Sequence, residues 1–238
     1  MTARARSTPT PVADGVWRLT LGMPLKINVF FVREDDGVAV FDAGSKPMGA
    51  AIRRAADTLG GATRVIVGNA HADHRGGARA VAAPVNCHLD ERADVEGDGG
   101  EHYFDYSALP LLSRPLTPRL MRSWDDGPLH VARTLEQGDR VGEDFEVIHL
   151  PGHAPGCIGL WREADRLALS NDCFALFDPA FPRAGKPRIP HPAFNWSTER
   201  APESVAKLAA LKPKTCWPGH FGPLTGDVAE QLRPLTAA

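Results

Sequence analysis

Arg64-Val65-Ile66-Val67-Gly68-Asn69-Ala70-His71-Ala72-Asp73-His74-Arg75-Gly76-Gly77 is the stretch on which the reading of this chain turns. Val65 to Val67 are apolar and β-branched, as in a buried strand. Beyond them Asn69, His71 and Asp73 alternate, so an extended backbone points all three toward one side, and His74 follows as the chain turns beside Gly76 and Gly77. Imidazole nitrogens and a carboxylate at a strand end combine rigid backbone with nearby solvent, which a hydrolytic metal site requires. The stretch reads as a metal-binding loop.

Upstream, three β-prone runs, Val16 to Leu21, Ile27 to Arg33 and Val38 to Phe41, are separated by Gly22, Pro24 and the turn Glu34-Asp-Asp-Gly37. They predict a β-meander, preceded by a polar, Pro-containing tail over 1–14 that is expected to be disordered. Pro47 to Leu59 predicts a helix stopped by Gly60-Gly61. Downstream, a helix is expected over 77–83 and a strand over 85–89. Residues from about 90 to 134 have no clean period and carry Pro110, Pro115 and Pro118, so they read as an insertion over the core. A lid, a homodimer contact and a packed excursion all suit that insertion. Strands are predicted again at 145–150, 157–161, 167–170 and 215–217, with helices at 203–211 and 227–232. The order suggests two α/β halves packed sheet against sheet.

Each of three later strands ends in a loop with one ligand-type residue. His153 lies in Leu-Pro-Gly-His-Ala-Pro-Gly, Asp172 in Leu-Ser-Asn-Asp-Cys-Phe, and His220 in Trp-Pro-Gly-His-Phe-Gly. A single histidine in a Gly/Pro loop is more often structural than a ligand; several, in order and at strand ends, carry the reading. His88, His102, His130, His149 and His191 belong to no such constellation, although His102 or His191 could edge a pocket. Cys157 and Cys173 adjoin these loops and are equally well read as small buried thiols. Arg183, Lys186 and Arg188 read as exposed loop charges rather than contacts for an acidic substrate.

Composition excludes several classes. The chain has 238 residues, 43% of them hydrophobic and 24% charged, enough to bury a large core. With 27 Lys+Arg against 29 Asp+Glu and no dense basic run, nucleic acid is not an expected partner. No run approaches the ~18 apolar residues of a membrane span, and no apolar stretch follows Arg4 and Arg6 as in a signal peptide. Four scattered cysteines without CxxC spacing predict reduced thiols and a cytoplasmic location.

These motifs together resemble the metallo-β-lactamase-fold hydrolases, whose hallmark is H-x-H-x-D-H after a strand with later His, Asp and His in that order. Here the match is Asn-Ala-His-Ala-Asp-His at 69–74, then His153, Asp172 and His220, with Phe-Asp-Ala-Gly at 41–44 as a further likeness. The resemblance implies an α/β protein, a four-layer αβ/βα sandwich over one domain at 15–238, with its site at the shared edge of the two sheets. It implies that His71 and His153, with residue 69, hold a first metal. Asp73, His74 and His220 would hold a second, and Asp172 would bridge the two. The departure is Asn69, standing where the family usually has histidine. An amide oxygen is a weak zinc ligand, so the first site is expected to be weak or empty and one strong zinc site remains. Iron or manganese also suits such a mixed N/O set. Carbapenem-hydrolysing members with asparagine at this position work with a single zinc, so Asn69 does not by itself imply a dead enzyme.

The expected chemistry follows from the ion. Zinc with an open position lowers the pKa of bound water toward about 7 and polarises a carbonyl. Asp73 is the expected catalytic residue, orienting that water, while Asp42 fixes a ligand loop by hydrogen bonds. The leading expectation is a hydrolase of a small-molecule thioester or ester, similar to hydroxyacylglutathione hydrolases. The alternatives are a β-lactam or lactone hydrolase and a member that binds or regulates without turnover.

Overall fold

The computed structural model describes residues 8–22, 24–178 and 183–236. The first sheet holds β1 (Thr10–Ala13), β2 (Val16–Leu21), β3 (Ile27–Glu34), β4 (Gly37–Phe41), β5 (Ala62–Val67), β6 (Val85–His88) and β7 (Val131–Leu135) in that spatial order. Strands β1 to β4 form an antiparallel meander, while β4 to β7 run parallel. The second sheet holds β8 (Arg140–Val141), β9 (Phe145–His149), β10 (Ile158–Arg162), β11 (Leu167–Asn171), β12 (Thr215–Pro218) and β13 (Leu224–Thr225), with β11 and β12 its parallel pair. Helices α1 (Gly49–Asp57), α2 (Ala72–Arg75), α3 (Ala78–Val81), α4 (Arg92–Val95), α5 (Thr117–Trp124), α6 (Ala201–Ala210) and α7 (Val228–Leu232) complete the chain.

The central strands bury both faces, which is why Val38-Ala-Val-Phe41 and Val65-Ile-Val67 are continuously apolar. On one face of the first sheet, Val38, Val40, Val65 and Val67 pack with Ile52 and Ala55 of α1 and Val81 of α3. On its other face, Phe30, Phe41 and Ile66 meet Phe145, Val147, Leu160 and Leu169 of the second sheet. Beyond that sheet, Ile148, Leu150 and Cys216 pack with Val205 and Leu208 of α6 and Val228 and Leu232 of α7. Helix, sheet, sheet and helix layers result, as expected. A fully buried phenylalanine such as Phe41 in the middle layer is worth about 3–5 kcal/mol against alanine. Among the described residues no helix is long and apolar enough to cross a membrane.

Three expectations are corrected. Thr10–Ala13 is a strand paired with β2 rather than disordered tail; Pro11, lacking an N–H, is accommodated because β1 is an edge. Residues 1–7 of that tail lie outside the described residues. The insertion ends before Val131, because β7 pairs parallel with β6 and closes the sheet edge. Residues 69–73 are not extended: the Asn69 side-chain oxygen accepts the His71 backbone N–H (2.9 Å), a local turn that folds the chain back. His71 then caps α2, which carries Asp73 and His74. What remains of the insertion is mostly short helical turns and α5.

The two sheets are stitched where their strands end. Ile158 donates its N–H to the Gly68 carbonyl (2.9 Å), and Asn28 donates its backbone N–H to Gly219 (2.8 Å) and its side-chain amide to Pro218 (2.9 Å). The loops after β4, β5, β9, β11 and β12 therefore converge on one edge.

Candidate metal centre

Asp172, one residue beyond β11, is the hub. Its Oδ2 lies 3.1 Å from His74 Nε2, 3.3 Å from His220 Nε2 and 3.6 Å from His153 Nε2. Asp73 joins the same group, one oxygen 3.2 Å from His220 Nε2 and the other 3.9 Å from His74 Nε2. All of these residues are at least nine-tenths buried.

Each converging imidazole is held from behind. His74 Nδ1 meets Asp42 Oδ2 (3.1 Å), His220 Nδ1 meets the Lys26 carbonyl (3.0 Å) and His153 Nδ1 meets Asn195 Oδ1 (2.9 Å). An oxygen acceptor at Nδ1 fixes the tautomer and leaves the Nε2 lone pair facing inward, the usual support for a metal-ligating imidazole. Asn195 is itself oriented, donating its Nδ2 to the Pro190 carbonyl and the Thr198 hydroxyl. Asp42 adopts a left-handed backbone, φ 63°, sparsely populated for a non-glycine residue. From there its Oδ1 accepts the Gly68 N–H (2.8 Å) while Oδ2 serves His74 and Asn171.

The other half of the centre differs. His71 shares a hydrogen bond between its Nε2 and the Tyr103 hydroxyl (2.8 Å), so Nδ1 is the atom it has to offer an ion. Its ring stands edge-on to His153 with centroids 4.5 Å apart. Asn69 is fully buried, its Oδ1 on the His71 N–H and its Nδ2 donated to Asn171 Oδ1 (2.7 Å). Asn171, itself left-handed at φ 49°, passes a hydrogen bond on to Asp42 (2.8 Å). Asn69 thus belongs to the chain Asn69, Asn171, Asp42, His74.

Charge follows the same division. Burial opposes ionisation of His74 and His220, but the Asp172, Asp42 and Asp73 carboxylates outweigh it at His74 and hold that imidazole well above its usual value. At His220, Asp172 and Asp73 outweigh burial and push it up to about 10. Burial likewise opposes ionisation of Asp73 and Asp172, and the facing imidazoles overcome it, keeping both carboxylates well below their ordinary range. Burial wins for His71, aided by neighbouring His153, and for His153 despite Asp172; both are lowered.

A divalent cation fits these residues. Asp172 Oδ1 is buried without a hydrogen-bond partner, a costly state for a carboxylate that an ion would relieve. Asp73, His74 and His220 offer donor atoms all within 4.8 Å of one another, and carboxylate with imidazole is a donor set for zinc, iron or manganese. The cradle has no slack: a Cβ at Gly219 would come within 2.4 Å of Asp172 Oδ1 and 2.7 Å of His74 Cε1.

Residues 22–220 match the family profile described as the metallo-beta-lactamase superfamily. The chain belongs to that superfamily. Among superfamily relatives, "Probable metallo-hydrolase YflN" of Bacillus subtilis (strain 168) is 28% identical over 231 residues, 90% of this chain and 86% of its own. The fold is similar to that of the metallo-beta-lactamase family protein TTHA1429 from Thermus thermophilus, with TM-score 0.67 and 21% identity, covering 95% of this chain and 80% of that one. It is also similar to TTHA1623, solved in a di-iron-bound form, with TM-score 0.60 and 25% identity over 87% of this chain and 93% of that one.

Of the residues singled out by sequence, the edge brings together Asp73, His74, His153, Asp172 and His220, with His71 beside them and Asp42 behind. His191 lines the adjoining cavity and His102 does not. His88 and His149 stack on each other elsewhere, centroids 3.9 Å apart, and His130 is exposed. Arg188 pairs with Asp178, and neither Arg183, Lys186 nor Arg188 lines the cavity. Sequence reasoning missed Asn171, Asn195, Tyr103 and Glu91. Glu91, fully buried, accepts the Ala70 and Gly156 N–H groups (2.7 Å each) and so joins the loops after β5 and β9; burial pushes its carboxyl up to about 8 although both hydrogen bonds oppose the shift. Only Asn171, adjacent to Asp172 in Ser-Asn-Asp, carried a local signal.

Proposed function

We propose that the chain is a metal-dependent hydrolase of a small-molecule ester or thioester, with one tightly held divalent ion on Asp73, His74, His220 and Asp172. The observation that carries this reading is Asp172, its Oδ2 ringed by three imidazole Nε2 atoms and its Oδ1 buried with no partner. Superfamily membership and the metallo-hydrolase name of the YflN relative support it. An ion held there would supply Lewis-acid chemistry. Asp73 lines the cavity and is held ionised, so it is placed to accept a hydrogen bond from attacking water and orient it. His153 and His71 border the same space. Tyr103, whose phenol burial pushes far above its ordinary value with help from Glu91 and Asp94, stays protonated and fixes the His71 ring. Asn69 is read as a positioning residue, steadying Asp42 through Asn171 rather than binding metal. Four buried free cysteines support a reducing, cytoplasmic setting.

A direct test is to purify the protein without chelator, count metal by elemental analysis and assay a panel of aryl esters and acyl thioesters before and after chelation. The expected result is about one ion per chain, with hydrolysis lost on chelation and restored by zinc, iron or manganese. Hydrolysis indifferent to metal removal would overturn the reading.

A further inference from the structure

Asp73, Asp172 and His220 line a cavity of about 1140 Å³, bounded on one side by Gly22, Pro24 and Leu25 and on the other by residues from 108–124. Small-molecule sites commonly measure ~300–1,000 Å³, so this space accommodates much more than an acetyl group. Its walls are built from Leu25, Leu112, Leu120, Trp124, Phe177 and Phe194. Leu112 and Leu120 are 87% and 46% exposed, apolar surface that an apolar guest would remove from water.

Charge narrows the guest further. Among the described residues lining the cavity, none is lysine or arginine, and the carboxylates are Asp73, Asp172 and Asp178. A carboxylate or phosphate on the part of the substrate that these walls cover would meet apolar side chains and no lysine or arginine. Thioesters of anionic carriers and β-lactams bearing a carboxylate are poorly served by such walls.

Resting on the hydrolase reading above, we infer that the substrate is an uncharged ester or lactone with a long apolar acyl chain, laid along Leu112, Leu120 and Phe177 with its carbonyl at Asp73. Water adds its oxygen to the acyl carbon, the acyl C–O bond breaks, and the departing alcohol oxygen takes up a proton. The products are a carboxylic acid and an alcohol, or one hydroxy acid from a lactone.

The test compares kcat/KM of the metal-loaded full chain on p-nitrophenyl acetate, butanoate and octanoate, and on the anionic p-nitrophenyl half-ester of glutaric acid. Each buried methylene is expected to add about fourfold until the cavity is filled, so octanoate exceeds acetate by at least about tenfold. The anionic half-ester falls below butanoate. Leu112→Asp, at a position too exposed to burden the core, lowers the octanoate-to-acetate ratio. A second readout needs no turnover: octanamide, and not acetamide, shifts the fluorescence of Trp124, and the shift disappears in Trp124→Phe. Hydrolysis with no chain-length preference, or a preference for the half-ester, overturns the acyl inference and leaves the hydrolase reading standing. Octanamide binding with every ester untouched keeps the cavity assignment and removes the hydrolase reading. Neither binding nor preference overturns the inference outright.

Discussion

On one side of Asp172 stand Asp73, His74 and His220; on the other, His71, His153 and Asn69. Both trios are buried, and both begin from the same loop after β5. Yet the first faces the carboxylates of Asp42, Asp73 and Asp172, which hold its imidazoles high, while burial holds those of the second low. The first half is arranged to attract a cation. The second presents two neutral rings, a tyrosine and an amide already engaged within the protein. Asn69 leaves no gap; it is built into the support of the opposite half through Asn171 and Asp42.

The asymmetry can be broken by experiment. The largest effect is expected at Asp73: Asp73→Ala should lower kcat/KM for an aryl ester by about a hundredfold to ten-thousandfold, whereas His153→Ala costs about tenfold. Equal losses in steady-state assays would erase the distinction between the halves. Next, Asp42→Asn should weaken metal affinity about 10- to 100-fold by removing the carboxylate behind His74, and Asn195→Ala, behind His153, should change it little. Competition with a chromophoric chelator measures both.

The third prediction concerns protons. Without metal, His220 holds its proton up to about 10 and His74 is also raised, so an ion binding near pH 7 must displace them. Apparent affinity should rise about tenfold per pH unit for each proton released, and calorimetry in buffers of different ionisation enthalpy counts them. No release at pH 7 would mean that the ion sits on the neutral half. The same protons set the sign for stability: in the metal-free protein they stabilise the fold below the ordinary imidazole value of 6.5, and that contribution is lost as pH rises toward 10. The smallest effect sharpens the comparison at its origin. Asn69→His should move metal content from about one ion per chain toward two, read by elemental analysis; unchanged content would mean that residue 69 does not limit the weaker half.

Much of this is legible in the amino-acid order alone. The apolar runs at 38–41 and 65–67 announce buried strands, although not their parallel pairing, and His153, Asp172 and His220 stand out by following strands within short loops. The support behind these side chains is not legible. Asn195 acts 42 residues from His153, Tyr103 acts 32 from His71, and the Lys26 carbonyl is backbone, for which side-chain identity says nothing. Edge elements are equally silent. β1 carries a proline, and β8 and β13 have two residues each, too few to show a period.

Arg75, which follows Asp73 and His74 in the chain, is 1% exposed and grips Asp125 (2.6 and 3.1 Å) and the carbonyls of Asp94 (2.7 Å), Val95 (3.0 Å) and Gly97 (3.2 Å). The wall that would select an acyl chain is thereby riveted to the helix that carries Asp73 and His74. Anyone grafting a foreign segment into 94–125 to retune selectivity must bring along these five acceptor atoms, since an orphaned guanidinium there would disturb the helix that carries Asp73 and His74 before the new wall met its first substrate.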